Sequence, residues 1–168
     1  IIAWRSGTGT GQLRIGTMSG TGVDATVTLG TTYTFSAVAT GDQPNSICIA
    51  MLSTSKFVIA FRDTGTSNKG SWIVGTITGS GASATVAFNT KTQFHNSPVC
   101  TSQNSLSLLT LDSNRVIVFY DNNWASLSAI IGTVSGSGTT ALITSGVLNS
   151  SFNTTVIRNA RDIAARDL

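Results

Sequence analysis

Apolar residues along this chain come in short runs, and almost every run is bracketed by Gly, Ser, Asn or Asp. The most regular stretch shows the pattern well. Residues 105–111 place Leu106, Leu108 and Leu109 in one run, and Asp112-Ser113-Asn114 then forms a turn before 115–120. A polar loop at Asp121-Asn122-Asn123 leads into 127–134, and Ser135-Gly136-Ser137-Gly138 leads into 140–145. Short runs rich in β-branched and aromatic residues between turn formers predict strands, and the spacing predicts an antiparallel meander of four. The preceding stretch repeats the plan at 47–52, 57–61, 72–77 and 85–88.

The plan recurs because the sequence does. Ile1-Ile2-Ala3-Trp4-Arg5-Ser6 aligns with Val58-Ile59-Ala60-Phe61-Arg62-Asp63 and with Val116-Ile117-Val118-Phe119-Tyr120-Asp121. Gly16-Thr17-Met18-Ser19-Gly20 aligns with Gly75-Thr76-Ile77-Thr78-Gly79 and Gly132-Thr133-Val134-Ser135-Gly136. Phe35, Phe94 and Phe152 form a third set. All three sets run in the same order at a nearly constant spacing of about 58 residues, the mark of a repeat architecture. The copies fall at 1–45, 46–104 and 105–160 within one domain of 1–168.

The tail, 161–168, reads as the first strand of a further unit. Ile163 aligns with Ile47 and Leu106, and Ala165 with Ile49 and Leu108. A helical face through Ile157, Ala160, Ala164 and Leu168 is the rival reading, and the repeat alignment is preferred to it. The start at Ile1 is read as that of a piece processed or excised from a longer chain.

A four-stranded meander cannot bury both of its faces alone. Sheets repeated around an axis can, so β-propeller blades are the expected architecture, ahead of a stacked β-solenoid and a β-sandwich. Three blades are too few to close a ring. Self-association is therefore expected, either as a dimer forming a six-bladed ring or as an open-ended array joined by strand addition.

Composition agrees with this class. Charged residues are only 10% of 168, there is no Glu, and Thr, Ser and Gly supply the polar positions. The net charge of +3 has no basic stripe behind it, because Asp162 and Asp167 interleave with Arg158, Arg161 and Arg166. Nucleic acid is therefore not an expected partner. No apolar run is long enough to span a membrane. Cys48 and Cys100 are read as either a disulfide or two buried thiols.

Chemistry is sparse. His95 is the only histidine, lies in the polar stretch Gln93-Phe94-His95-Asn96, and aligns with Ser36 and Asn153, so a solvated loop residue is expected. No metal-ligand spacing and no cofactor signature are present. Asp63 and Asp121 occupy near-equivalent repeat positions and read first as turn formers. The chain is accordingly expected not to be an enzyme. Carbohydrate binding is the alternative function, since an aromatic face with nearby Arg, Asp or Asn suits a sugar ring. The candidate residues are Trp124 beside Asn122 and Asn123, Arg62 with Phe61 and next to Asp63, and Arg5 with Trp4. Asn149-Ser150-Ser151 and Asn153-Thr154-Thr155 are sequons, so Asn149 and Asn153 are candidate glycan carriers.

The landmarks resemble those of tandem-repeat β-propellers from viral and bacterial surface proteins. There a hydrophobic-aromatic strand ending in Asp precedes a Gly-Thr-Val-Ser-Gly turn. Phe61-Arg62-Asp63, Phe119-Tyr120-Asp121 and the three glycine turns carry the likeness, and Ser6 departs from it in the first copy. It extends over the whole chain. It implies a non-enzymatic structural or adhesive module, extracellular or exposed on a virion, cell surface or filament.

Overall fold

The computed structural model describes residues 1–36, 44–99, 106–121, 127–147 and 149–150. These residues form three antiparallel sheets and no α-helix. The first sheet is β1 (Ile2–Arg5), β2 (Gly11–Ser19) and β3 (Thr26–Ser36). The second is β4 (Pro44–Met51), β5 (Lys56–Asp63), β6 (Lys69–Thr78) and β7 (Thr85–Phe88), and β8 (Thr92–Pro98) also pairs with β6. The third is β9 (Leu106–Thr110), β10 (Arg115–Asp121), β11 (Leu127–Ser135) and β12 (Leu142–Ser145), with β13 (Asn149–Ser150) also on β11. Sheets two and three thus share one strand order, in which the outer position is filled by two short strands. In sheet one a single strand, β3, fills it, with a register shift opposite Arg14 and Gly16. The described residues form no closed barrel or ring of sheets.

The glycine landmarks build one hairpin three times. Gly20, Gly79 and Gly136 have φ of 84°, 86° and 71°, and Gly22, Gly81 and Gly138 have φ of 62°, 61° and 59°. Side chains with a Cβ rarely adopt such values, so the Gly-x-Gly pattern is a backbone requirement. A single 3-10 turn follows each, at Gly22–Asp24, Gly81–Ser83 and Gly138–Thr140. The N–H of Ala25, Ala84 and Ala141 closes it onto the carbonyl of its first glycine.

The ladders correct one alignment. Phe57 lies opposite Gly75, and Val116 lies opposite Gly132. With the glycines as common markers, Phe57 is the counterpart of Val116, and Val58 is the counterpart of Ile117. The strand landmark of the third copy is therefore displaced by one residue from its sequence alignment. Asp63 and Asp121, expected at near-equivalent positions, are not equivalent: Asp121 is the counterpart of Arg62. The cause is physical. Phe57, Val58, Ile59, Ala60 and Phe61 are all buried, so β5 has no polar alternation to reveal its parity. The first strands do match as aligned, since Ile49 faces Ile59 while Leu108 faces Val118.

With this register the packing runs in one direction. One face of sheet one, with Leu13 and Ile15, packs on Phe57, Ile59, Phe61 and Ile73 of sheet two. The opposite face of sheet two, with Val58, Ala60, Trp72 and Val74, packs on Val116, Val118, Tyr120 and Ile130 of sheet three. The aromatic landmarks seat these contacts. Phe35 and Phe94 lie over Gly11 and Gly70, where a Cβ would stand 2.5 Å and 2.3 Å from their rings. Phe35 then meets Phe61 at 5.8 Å, and Phe94 meets Trp72 at 5.3 Å and Tyr120 at 5.4 Å.

Candidate functional site

Of the residues singled out for chemistry, Arg62 and Asp63 are buried in the fold. Asp63 is fully buried at the end of β5. Its Oδ1 accepts the Gly65 N–H at 3.0 Å and caps the turn at Thr64–Thr66, while its Oδ2 pairs with Lys91 Nζ at 2.6 Å. Arg62 is buried beside it. Arg5 is exposed at the end of β1 opposite Gly11, whereas Arg62 lies opposite Gly70, so the two occupy matching places on different sheets. Asn149 lies in β13 opposite Ala129. Asn122, Asn123, Trp124 and Asn153 lie outside the described residues.

His95 is not a solvated loop residue. It lies in β8 opposite Gly70, half-buried, with its ring 5.2 Å from that of Tyr120. A short polar stretch hid a strand here because β8 pairs with β6 beyond the break in the outer strand. The Cys48 thiol donates to the Leu106 carbonyl at 2.8 Å, joining the first strands of sheets two and three, and Cys100 lies outside the described residues. Asp112 has a clearly lowered affinity for protons. The Asn114 N–H at 2.8 Å, and then Arg115 Nε at 2.6 Å, hold it below the usual carboxylate range. Among the described residues no three His, Cys, Asp or Glu side chains are grouped to hold a metal ion. No helix among them is long and apolar enough to cross a membrane.

A different set of residues forms a recurring device. The 3-10 turn of each following sheet is clasped by the sheet before it. Thr17 Oγ1 accepts the Ala82 N–H at 2.9 Å, and the Tyr33 hydroxyl donates to the Ala84 carbonyl at 3.0 Å. One sheet further on, Thr76 Oγ1 accepts the Gly138 N–H at 2.8 Å, and Asn89 Nδ2 donates to the Ala141 carbonyl at 3.0 Å. Each clasp thus uses one acceptor for a turn N–H and one donor for the alanine carbonyl that ends the turn. Both acceptors are the Thr of the Gly-Thr-x-Ser/Thr-Gly landmark. Sequence reasoning saw that Thr only as part of a turn. Its hydrogen-bond partner comes from the next sheet, and Thr is too common in this chain to stand out.

Arg14 was also missed. Its guanidinium lies 6.0 Å over the Trp4 ring, and its Nε donates to Thr32 Oγ1 at 2.6 Å. The two side chains meet diagonally on one face, because Trp4 lies opposite Gln12 and Ile2 opposite Arg14.

No protein-family model, no curated protein and no solved structure matches this chain.

Proposed function

We propose that this chain is a non-enzymatic structural or adhesive module, exposed outside the cell or on a virion or filament, that works by adding sheets of its own kind to an assembly. In this reading its sheets are blades of the β-propeller type. The carrying observation is the clasp, made twice with the same polarity from one sheet to the next. A stack built by one directional rule has two unlike ends and can continue at both. The near absence of charge clusters, the Thr/Ser/Gly surface and the likeness of the landmarks to surface-protein propellers support the setting. The two sequons support an exposed, glycan-carrying segment.

Light scattering coupled to size exclusion over a wide concentration range tests this reading, with negative-stain imaging of the product. A discrete dimer favours a closed six-bladed ring, and open-ended species favour a fibre. A monomer at every concentration refutes assembly. Carbohydrate binding ranks second. Its candidates Arg62 and Asp63 are buried and engaged in the fold, so the reading rests on Trp124 with Asn122 and Asn123. Glycan-array binding that is lost on Trp124→Ala would promote it.

A further inference from the structure

We infer that the outer face of the first sheet docks on the outer face of the third sheet of a second copy of this chain, through a third use of the clasp's threonine acceptor. The inference rests on the assembly reading above and names the surface that reading requires.

In sheets two and three, the face turned toward the preceding sheet is apolar and covered. Its members include Ile59, Phe61 and Ile77 in sheet two, and Val118, Tyr120 and Val134 in sheet three. Their counterparts in sheet one are Ile2, Trp4 and Met18. The outer-strand pair Val86 and Ile143 corresponds in the same way to Val27. Ile2, Trp4, Met18 and Val27 keep the apolar chemistry, while Arg14, held over Trp4, stands where the other two sheets have Ile73 and Ile130. This face therefore carries one cation within an apolar surface that has lost its cover. Met18 is 74% exposed, Val27 59% and Ile2 51%, where Val134 and Val118 are 2% and 0%. Exposed apolar side chains gathered on one sheet face in this way mark an interaction surface.

Sheet one also presents a turn of the form that is clasped elsewhere. Gly22–Asp24 has the same positive-φ glycines and the same closing hydrogen bond as Gly81–Ser83 and Gly138–Thr140. Val23, the counterpart of the clasped Ala82, is fully exposed. At the other end of the stack, Thr133 is the counterpart of the acceptors Thr17 and Thr76, and it is exposed too. Ile117 and Ile131 on its sheet are half-buried where their counterparts Val58 and Val74 are fully buried.

The occupant follows from continuity with the two interfaces already present. The face on sheet one is built to receive a sheet that offers a Thr acceptor beside an apolar surface. The third sheet of this same chain offers that pair. Docking is head-to-tail, so each copy presents both halves and the contact either closes a ring or propagates.

Cross-linking tests the geometry directly. Val23→Cys and Thr133→Cys variants, one carrying a size tag, are mixed and oxidised, with the unsubstituted chain as the control for Cys48 and Cys100. A disulfide between the two variants, exceeding that within either variant alone, is expected. Dominant Val23→Cys self-linking overturns the inference in favour of a symmetric contact. As a second arm, Met18→Asp with Val27→Asp is expected to weaken assembly at least tenfold while the melting of the dilute protein is unchanged, since both residues are exposed in the single chain. If the unsubstituted chain assembles but this pair has no effect and no cross-link forms, the interface is wrong and the assembly reading stands. If the unsubstituted chain stays monomeric throughout, both fall.

Discussion

Replacing Asn89 with alanine is expected to cost about 3 kcal/mol of folding stability, because one side chain serves two sheets. The outer strand of sheet two ends at Phe88 and resumes at Thr92. Inside that gap the ladder on β6 needs a substitute partner, and Asn89 provides it. Its Oδ1 accepts the Val74 N–H at 2.7 Å, and its own N–H donates to the Val74 carbonyl at 3.0 Å. Its Nδ2 reaches across to the Ala141 carbonyl. Val74 and Ala141 are both buried, so alanine leaves one donor and one acceptor without partners in the core. Each such group costs about 1–3 kcal/mol, so the two together cost about 2–6 kcal/mol, and entry of a water would hold the sum in the lower half of that range. For a chain of this length, about 3 kcal/mol corresponds to a fall in Tm of roughly 6–12 °C. Urea unfolding followed by tryptophan fluorescence is the assay, since Trp72 lies in the same core cluster. Asn89→Asp keeps the acceptor, loses the donor and sets a charge against a carbonyl. Its deficit should therefore exceed that of alanine at neutral pH and shrink in acid, where the protonated carboxyl can donate. A loss under about 0.5 kcal/mol for Asn89→Ala, the size of a surface substitution, would refute this account of the clasp.

Phe57→Ala empties a fully buried site between sheets one and two, where the ring also meets Phe88 edge-on at 6.2 Å; equilibrium unfolding should show a loss of about 3–5 kcal/mol. Lys91→Met removes a cation from the buried Asp63 carboxylate. A loss of about 3 kcal/mol is expected, at the low end for a broken pair because the Lys91 side chain is 22% exposed, and Asp63→Asn in the same background should recover part of it. Asp112 should titrate below the ordinary carboxylate range when its side-chain carbon is followed by NMR. Since its folded affinity for protons is depressed, its stabilising effect is complete above the unfolded pKa and fades as pH falls through the folded one, a dependence that Asp112→Asn abolishes.

What was legible in the sequence was whatever the backbone demands of a residue type. Gly20, Gly79 and Gly136 had to be glycine for their φ values, so the three hairpins could be found at once. Phe35 and Phe94 repeat because each fills the space over a glycine in the neighbouring strand. Strand positions followed from the turns on either side. The predicted strands 57–61 and 72–77 fall inside β5 and β6, with the observed ends extended by one to three residues. The clasp was not legible, because a hydrogen bond from Thr17 to Ala82 joins residues that no local pattern connects. Nor was the role of Asp63, whose partner Lys91 lies across the sheet in the break between β7 and β8.

The register of β10 is where local pattern misleads most, and a pair of substitutions decides it. Aligned by sequence, Val118 matches Ala60 and would turn toward the outer side of sheet three, leaving Ile117 to face sheet two. The ladder reverses this: Val118 lies opposite Ile130 and is fully buried against sheet two, whereas Ile117 is half-buried on the far side. Val118→Thr conserves shape and buries a hydroxyl among Val58, Ala60 and Trp72, at a cost of about 1–3 kcal/mol. Ile117→Thr leaves its hydroxyl within reach of water and should cost less, measured on the dilute chain so that no second copy covers the site. The order of the two losses carries the conclusion, since a strand slipped by one residue exchanges its faces completely. If Ile117→Thr proves the more damaging, sheet three is inverted, Asp63 and Asp121 become equivalent after all, and the face assigned to the second copy is the wrong one.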